Sequence, residues 1–425
     1  MTPGFLCLPI WSHHSKYLNC RFCNNPLTHE FVDLVNSPPS NSYLTAEQLN
    51  EPEVYYPLRV FVCEKCFLVQ LDEYKSAEQI FDEDYAYFSS FSSSWLDHSK
   101  RYVEMMSERF GYGSSSLVIE IASNDGYLLQ YFHEKGVPVL GVEPTLSTAE
   151  AAREKDIETL TEFFGSKFAR ELAGTGRQAD LLLGNNVLAH VPDINDFVEG
   201  LRIALKPGGV ITMEFPHVLR LIEECQFDTI YHEHFSYLSL TTTKAVFAAH
   251  GLEIFDVEEL TTHGGSLRVF AGHADAHPAL SDRVRELLET EQKAGITGIE
   301  LYQGFQDRVD TIRDELLAFL LAEKRSGKRI AAYGAAAKGN TLLNYCGIKK
   351  GLIDFVVDAS PHKQGKFLPG SHIPIVDESA LRDARPDHVL ILPWNLKPEI
   401  VKQLTYIQDW GGKFVTMAPR LEITA

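Results

Sequence analysis

With 425 residues, 44% hydrophobic and 23% charged, the chain has the balance of a globular protein of roughly two to four domains. Its 39 basic side chains against 58 acidic ones leave a formal charge of −19, which repels phosphate backbones and anionic membranes; no nucleic acid is expected as partner, although a local basic groove can still hold one phosphorylated small molecule. The apolar stretch Phe5–Trp11 is too short for an export signal and runs into His13 and His14, and no run approaches ~18 apolar residues, so a cytoplasmic protein with no membrane partner is expected.

Seven cysteines without an export signal argue against a disulfide framework. Four of them form the pairs Cys20-Arg-Phe-Cys23 and Cys63-Glu-Lys-Cys66. Two residues between cysteines let both sulfurs reach one ion from a tight turn, and two such turns complete a tetrahedral Zn²⁺ site. A strand over Arg59–Val62 leads into the second pair, and Ser37-Pro38-Pro39-Ser40 marks a loop-rich insert between the pairs. A redox dithiol would need only one such pair, at a helix start. Four thiolates leave no open position on the metal, so the expected zinc is structural.

Asp84-Tyr85-Ala86-Tyr87-Phe88 is a polar-aromatic joint, by itself a packing element. From about residue 100 short apolar runs alternate with helical stretches, the pattern of βαβ units. Leu117–Ile121 reads as a buried parallel strand running into Ala122-Ser123-Asn124-Asp125-Gly126, and Tyr127–Glu134 as a helix. Val139–Glu143 is a second strand ending in an acid; Asp180–Leu183 and Gly209–Met213 follow, the latter after the turn Lys206-Pro207-Gly208-Gly209. A small-residue loop lets backbone approach a nucleoside, and Glu143 can accept both ribose hydroxyls. The Gly-x-Gly-x-x-Gly dinucleotide fingerprint is absent, and Asp125 would set a negative charge where a pyrophosphate should sit. S-adenosylmethionine, which carries an ammonium and a sulfonium, suits this loop better.

Ligands bind beyond the carboxyl ends of strands in open α/β sheets, which places Asn185, Asn186 and His190 near the cofactor. The densest cluster is Tyr231-His232-Glu233-His234-Phe235-Ser236-Tyr237. It lacks the spacing of a zinc-protease helix; the alternatives are a solvated loop and a general base with orienting neighbours. Further on, Leu301–Lys324 has helical periodicity, and strands Arg329–Tyr333, Phe355–Asp358 and His388–Leu392 suggest a second Rossmann-like unit. Its loop Gly334-Ala335-Ala336-Ala337-Lys338-Gly339-Asn340 is either a phosphate cradle or a tight turn with a solvated lysine.

Taken together, these motifs resemble the sugar C-methyltransferases of deoxysugar biosynthesis, which act at C3 of dTDP-linked 4-keto sugars. The specific segments are the Tyr-x-Glu-His cluster, Tyr333–Asn340 and Asp358-Ala359-Ser360-Pro361-His362-Lys363-Gln364. The resemblance implies an α/β chain with an N-terminal zinc-binding module (1–75), a central class I Rossmann-like methyltransferase domain (76–255) and a second Rossmann-like α/β domain that binds substrate (256–425). It implies S-adenosylmethionine contacts at Glu120, Ala122, Asn124, Asp125, Gly126, Glu143, Phe164 and Asn185, and zinc at Cys20, Cys23, Cys63 and Cys66. His234 would remove the C3 proton, Tyr231 and Glu233 would orient base or sugar, His190 and Asn186 would face the C4 oxygen, and Tyr85 would contact substrate. Tyr87, His263, Gly264, Lys338 and Asn340 would hold the nucleotide-linked sugar. The oligomeric state stays open, a monomer being the default.

Three rivals remain at this level: an O- or N-methyltransferase for another small molecule, a zinc-ribbon RNA methyltransferase disfavoured by the charge, and a non-catalytic binding protein. Ala122 stands where methyltransferase loops commonly carry glycine, and His232 has no assigned role.

Overall fold

The computed structural model describes residues 18–74, 88–274, 276 and 280–424, so Tyr85 and Tyr87 lie outside the described residues. In the N-terminal segment β1 (His29–Ser37), β2 (Tyr56–Val62) and β3 (Val69–Leu71) form an antiparallel meander. Along β2 the buried Leu58, Val60 and Val62 alternate with Pro57, Arg59 and Phe61, the period-two pattern that gives a sheet one apolar face. The cysteine pairs sit on the turns that close this small sheet. A helix over Phe305–Arg325 packs against it, with Phe31 stacked on Phe305 at 4.4 Å between ring centroids.

The middle unit starts with the helix Ser93–Phe110, capped by the Ser92 side chain and stopped by Gly111 in the left-handed region. β4 (Val118–Ile121), β5 (Val139–Val142), β6 (Thr159–Leu160), β7 (Ala179–Asn185) and β8 (Leu205–Pro216) then form a parallel sheet. β4 is buried along its whole length, as expected of a strand covered on both faces. β9 (Ser236–Tyr237) leaves this unit and pairs with β3, while β10 (Leu252–Leu260) and β11 (Ser266–His273) return to it antiparallel. The strand order is β10-β11-β8-β7-β4-β5-β6. Position 255/256, taken above as a boundary, lies inside β10, and the sheet continues to His273.

The long helix begins at Phe305, later than Leu301, because Ile299–Leu301 is a separate 3₁₀ turn and Gly304 takes φ +73°. After it, β12 (Ile330–Tyr333), β13 (Val356–Val357), β14 (Ile375–Val376), β15 (His388–Ile391), β16 (Lys413–Thr416) and β17 (Glu422–Thr424) form a second open sheet in the order β14-β13-β12-β15-β16-β17. All its neighbours are parallel except β17. The strand order reverses between β4 and β7 in the middle sheet and between β12 and β15 here. Each reversal opens a crevice at the carboxyl ends of the strands.

Candidate active site

Both crevices open into one cleft of about 750 Å³. Residues following β4, β5 and β7 line one side of it, including Ala122, Asn124, Glu143, Asn185 and Asn186. Residues following β12 and β15 line the other, including Ala336, Ala337, Lys338, Pro393 and Asn395. Between them lie His190, Tyr231, Glu233, His234 and His263, with Asn41 reaching in from the insert of the zinc module.

On the middle-sheet side Ala122 and Asn124 hold φ of +54° and +49°, a left-handed conformation whose strain is tolerated where a loop must present its backbone to a ligand. Gly126 follows at φ +73°, where a Cβ would lie 2.5 Å from Ile157 Cδ1. The Glu143 carboxylate is oriented by two amides, Asn124 N–H and Thr145 N–H, each 2.9 Å from one oxygen. Burial pushes its pKa up, against the pull of those donors. Phe164 also lines the cleft, packed edge-on against Phe197. Glu120, Asp125 and Gly126 lie outside its lining. Glu120 is buried beside Tyr127, where desolvation drives its acid well above the usual range, and Asp125 pairs with Lys155 at 3.3 Å. On this side Glu143 and Glu162 are the carboxylates in the lining, which fits the cationic, phosphate-free S-adenosylmethionine.

The Tyr231–Leu238 segment is buried but for partly exposed Tyr231, so the solvated-loop alternative does not hold. Pairing of β9 with β3 draws the chain into the core. His232 Nε2 faces the Pro57 carbonyl of the zinc module at 3.2 Å, while Glu233 and His234 line the cleft. His234 Nδ1 lies 3.0 Å from the Thr229 carbonyl. A carbonyl only accepts, so in the neutral ring Nδ1 carries the proton and Nε2 the lone pair. The His190 ring stands edge-to-face to His234 at 4.6 Å, and Tyr231 lies 4.0 Å from it. Burial lowers the pKa of both histidines, that of His190 to about 4, and His190 is bonded to the Glu233 backbone. Both Glu233 oxygens accept from Asn41 Nδ2, at 2.7 and 2.9 Å. Asn186 Nδ2 lies 2.9 Å from His263 Nε2, and His263 is itself at φ +55°. Burial lowers His263 to about 4.

On the far side Lys338 Nζ sits 4.6 Å over the Trp394 ring and donates to Asn395 Oδ1 at 2.7 Å. Trp394 Nε1 donates in turn to Asp228 at 2.7 Å, and burial raises that acid to about 6. The solvated-lysine alternative therefore gives way to a lysine held at the cleft wall. Gly264 and Asn340 do not line the cleft: a Cβ at Gly264 would strike Trp394 at 2.4 Å, and Asn340 donates to the Ser40 carbonyl at 2.6 Å. Sequence reasoning missed Asn41, Trp95, His98 and Lys363, all in the lining, as well as Trp394, whose ring lies under Lys338, and Asn395, also in the lining. The last two follow a strand at a switch point, which is the signal that marks them. It also missed buried Glu214, which accepts from His98, Arg268 and Thr262, each at 2.9 Å.

The four thiolates converge, all sulfurs lying within 4.8 Å of one another. Cys20–Cys66 and Cys23–Cys63 are each 3.5 Å apart, close to the ~3.8 Å edge of a tetrahedron with ~2.3 Å Zn–S bonds. The donor set fits a closed zinc site.

A zinc-binding domain family matches residues 20–81, a methyltransferase domain family 99–257 and a C-methyltransferase C-terminal domain family 261–419. The C-methyltransferase NovU of Streptomyces niveus is 35% identical over 400 residues, 94% of this chain and 95% of that protein. A ubiquinone biosynthesis O-methyltransferase of Chelativorans sp. (strain BNC1) is 30% identical over 95 residues, 22% of this chain and 38% of that one. Among solved structures, magnesium protoporphyrin IX methyltransferase from Synechocystis PCC 6803 with bound S-adenosylhomocysteine aligns at 15% identity and TM-score 0.34, over 41% of this chain and 82% of that one. The glycopeptide N-methyltransferase MtfA with S-adenosylmethionine aligns at 14% and 0.33, over 41% and 94%.

Proposed function

This chain belongs to the C-methyltransferase family, an S-adenosylmethionine-dependent enzyme with a structural zinc site, and we propose that it methylates C3 of a nucleotide-linked 4-keto-deoxysugar. The observation that carries this reading is the pair of facing histidines, His234 buried and His190 half-buried, between the cleft wall that bears Glu143 and the lysine-bearing second switch point. Carbon methylation needs a base for a C–H proton and a stabilised oxyanion, whereas attack by an existing oxygen or nitrogen lone pair needs no such base.

S-adenosylmethionine supplies an electrophilic methyl group. Glu143, held by the Asn124 and Thr145 amides, accepts the ribose hydroxyls. His234 Nε2 takes the C3 proton, made acidic by delocalisation of the carbanion onto the C4 oxygen. Tyr231 and Asn186 donate toward that oxygen. His190, its ring edge-to-face to His234 at 4.6 Å, orients the base. Lys338 and His263 hold the nucleotide portion, and Glu233, fixed by Asn41, orients the sugar. The reaction class fits deoxysugar assembly for an antibiotic, in the cytoplasm.

The test is proton exchange. In deuterated water the enzyme should wash deuterium into C3 of a dTDP-4-keto-deoxysugar, and His234→Asn should abolish this. Methylation without exchange at any carbon, or methylation of a heteroatom, would overturn the reading. Because burial lowers both histidines, kcat should hold its plateau as pH falls through ~6.5, the ordinary histidine value, and drop only nearer the value of about 4 reached by His190. A pH–rate profile checks this directly.

A further inference from the structure

Arg21 is the first residue inside the Cys20–Cys23 turn, and its side chain points away from the zinc into the protein. Its Nη1 donates to the Pro192 carbonyl at 2.7 Å, two residues past His190. Its Nη2 donates to the Leu71 carbonyl on β3, whose amide in turn bonds the Phe235 carbonyl at 3.0 Å. The guanidinium lies 5.4 Å from the Phe235 ring centroid, one residue past His234. One cation thus bridges the two segments that carry the paired histidines. The guanidinium donates to these two carbonyls, and the charges of Glu73, Asp72 and Asp193 lie near enough to favour it. The turn is fixed from behind: Arg21 N–H donates to Gln70 Oε1 at 2.9 Å, and Asn195 Nδ2 donates to the Arg21 and Phe22 carbonyls, each at 3.0 Å.

We infer that Arg21 is a positioning residue, through which the zinc turn sets the distance between the His190 and His234 segments. The zinc module is then part of the acceptor half of the active site, and its influence stops short of the cofactor half. The inference rests on the reading that these two histidines act on the acceptor. Its geometric content is tested without any acceptor.

The experiment is hydrogen exchange by mass spectrometry on the full-length, zinc-loaded protein, comparing wild type with Arg21→Met and Arg21→Lys. In Arg21→Met the zinc content should stay at the wild-type value. Amides in 186–191 and 232–238 should exchange at least ~10-fold faster, while 118–126 and the affinity for S-adenosylhomocysteine stay unchanged, because the lost bonds are charge-assisted and local. Arg21→Lys, a point donor that reaches fewer carbonyls, should recover part of the protection. With a turnover substrate in hand, kcat should fall ~10- to 100-fold at constant KM for S-adenosylmethionine. Should Arg21→Met not fold, Asn195→Ala loosens the same turn and should give the same pattern at smaller amplitude. Wild-type exchange in both segments, or equal loosening of 118–126, overturns the inference. A wild-type enzyme inert toward keto-sugars would remove the functional reading and leave the exchange result standing.

Discussion

The middle and C-terminal sheets share a plan and differ at their openings. In the middle sheet Glu143, just past the end of β5, and Glu162, just past β6, line the cleft. Its two strained residues, Ala122 and Asn124, turn backbone toward the cleft. In the C-terminal sheet the equivalent loop is Gly334-Ala335-Ala336-Ala337, leading straight into a helix whose second residue is Lys338, and Lys363 lines the same wall. One topology thus presents carboxylates on one side and ammonium groups on the other. The contrast teaches that a switch point supplies a place, while the charge of the residues around it selects the ligand; on the proposed reading, that is a sulfonium with an ammonium on one side and an anionic nucleotide on the other.

The strongest way to break this picture lies between the sheets. His234→Asn should lower kcat by ~100- to 10,000-fold, the usual loss for a general base, while titration calorimetry finds both S-adenosylhomocysteine and dTDP bound as in wild type. Loss of either binding event would mean that His234 belongs to one wall and not to the chemistry between them. Next come the walls themselves. Lys338→Ala should weaken dTDP ~10- to 100-fold and leave S-adenosylhomocysteine alone; Glu143→Gln should weaken S-adenosylhomocysteine about 10-fold and leave dTDP alone. The same calorimetry reads both. A crossed result, or one variant weakening both ligands, would erase the division of labour.

How much of this was visible in the sequence depends on distance along the chain. The zinc ligands were legible because each turn is local and only their meeting is long-range. The central strands of both parallel sheets were legible as short apolar runs, since burial on both faces removes alternation, whereas β6, β14 and β16 toward the edges were not read. The pairing of β9 with β3 was not, because two residues leave no periodic signal, yet that pairing carries the chain just past the Tyr231–His234 cluster into the core. Asn41 was equally hidden: it meets Glu233 across 192 positions, and a single asparagine in a proline-rich insert looks like a turn residue. Lys338 was found, but its seat against Trp394 and Asn395 depends on a loop 57 residues away. Gly264 and Asn340 were drawn into the substrate list by neighbours that do line the cleft, whereas each is committed to packing between segments.

The mildest test uses one glycine from each opening. Gly126 and Gly334 both take positive φ, +73° and +88°, so alanine at either position carries ~1–2 kcal/mol of backbone strain. The difference lies in what the new methyl meets. At Gly126 it would approach Ile157 Cδ1 at 2.5 Å, the free end of a side chain that can rotate away. At Gly334 it would meet Pro393 Cδ at 2.4 Å and Cγ at 2.6 Å, a ring tied to the backbone that leads into Trp394. Overpacking against a rigid partner adds ~1–3 kcal/mol, so Gly334→Ala should be the more destabilising in urea unfolding. Its displacement of Pro393 should also carry into the Lys338 seat, weakening dTDP several-fold, whereas Gly126→Ala should change S-adenosylhomocysteine affinity less because Ile157 absorbs the clash. Equal losses of stability in the two variants would mean that the C-terminal opening is as yielding as the middle one, and that its rigidity plays no part in holding the lysine.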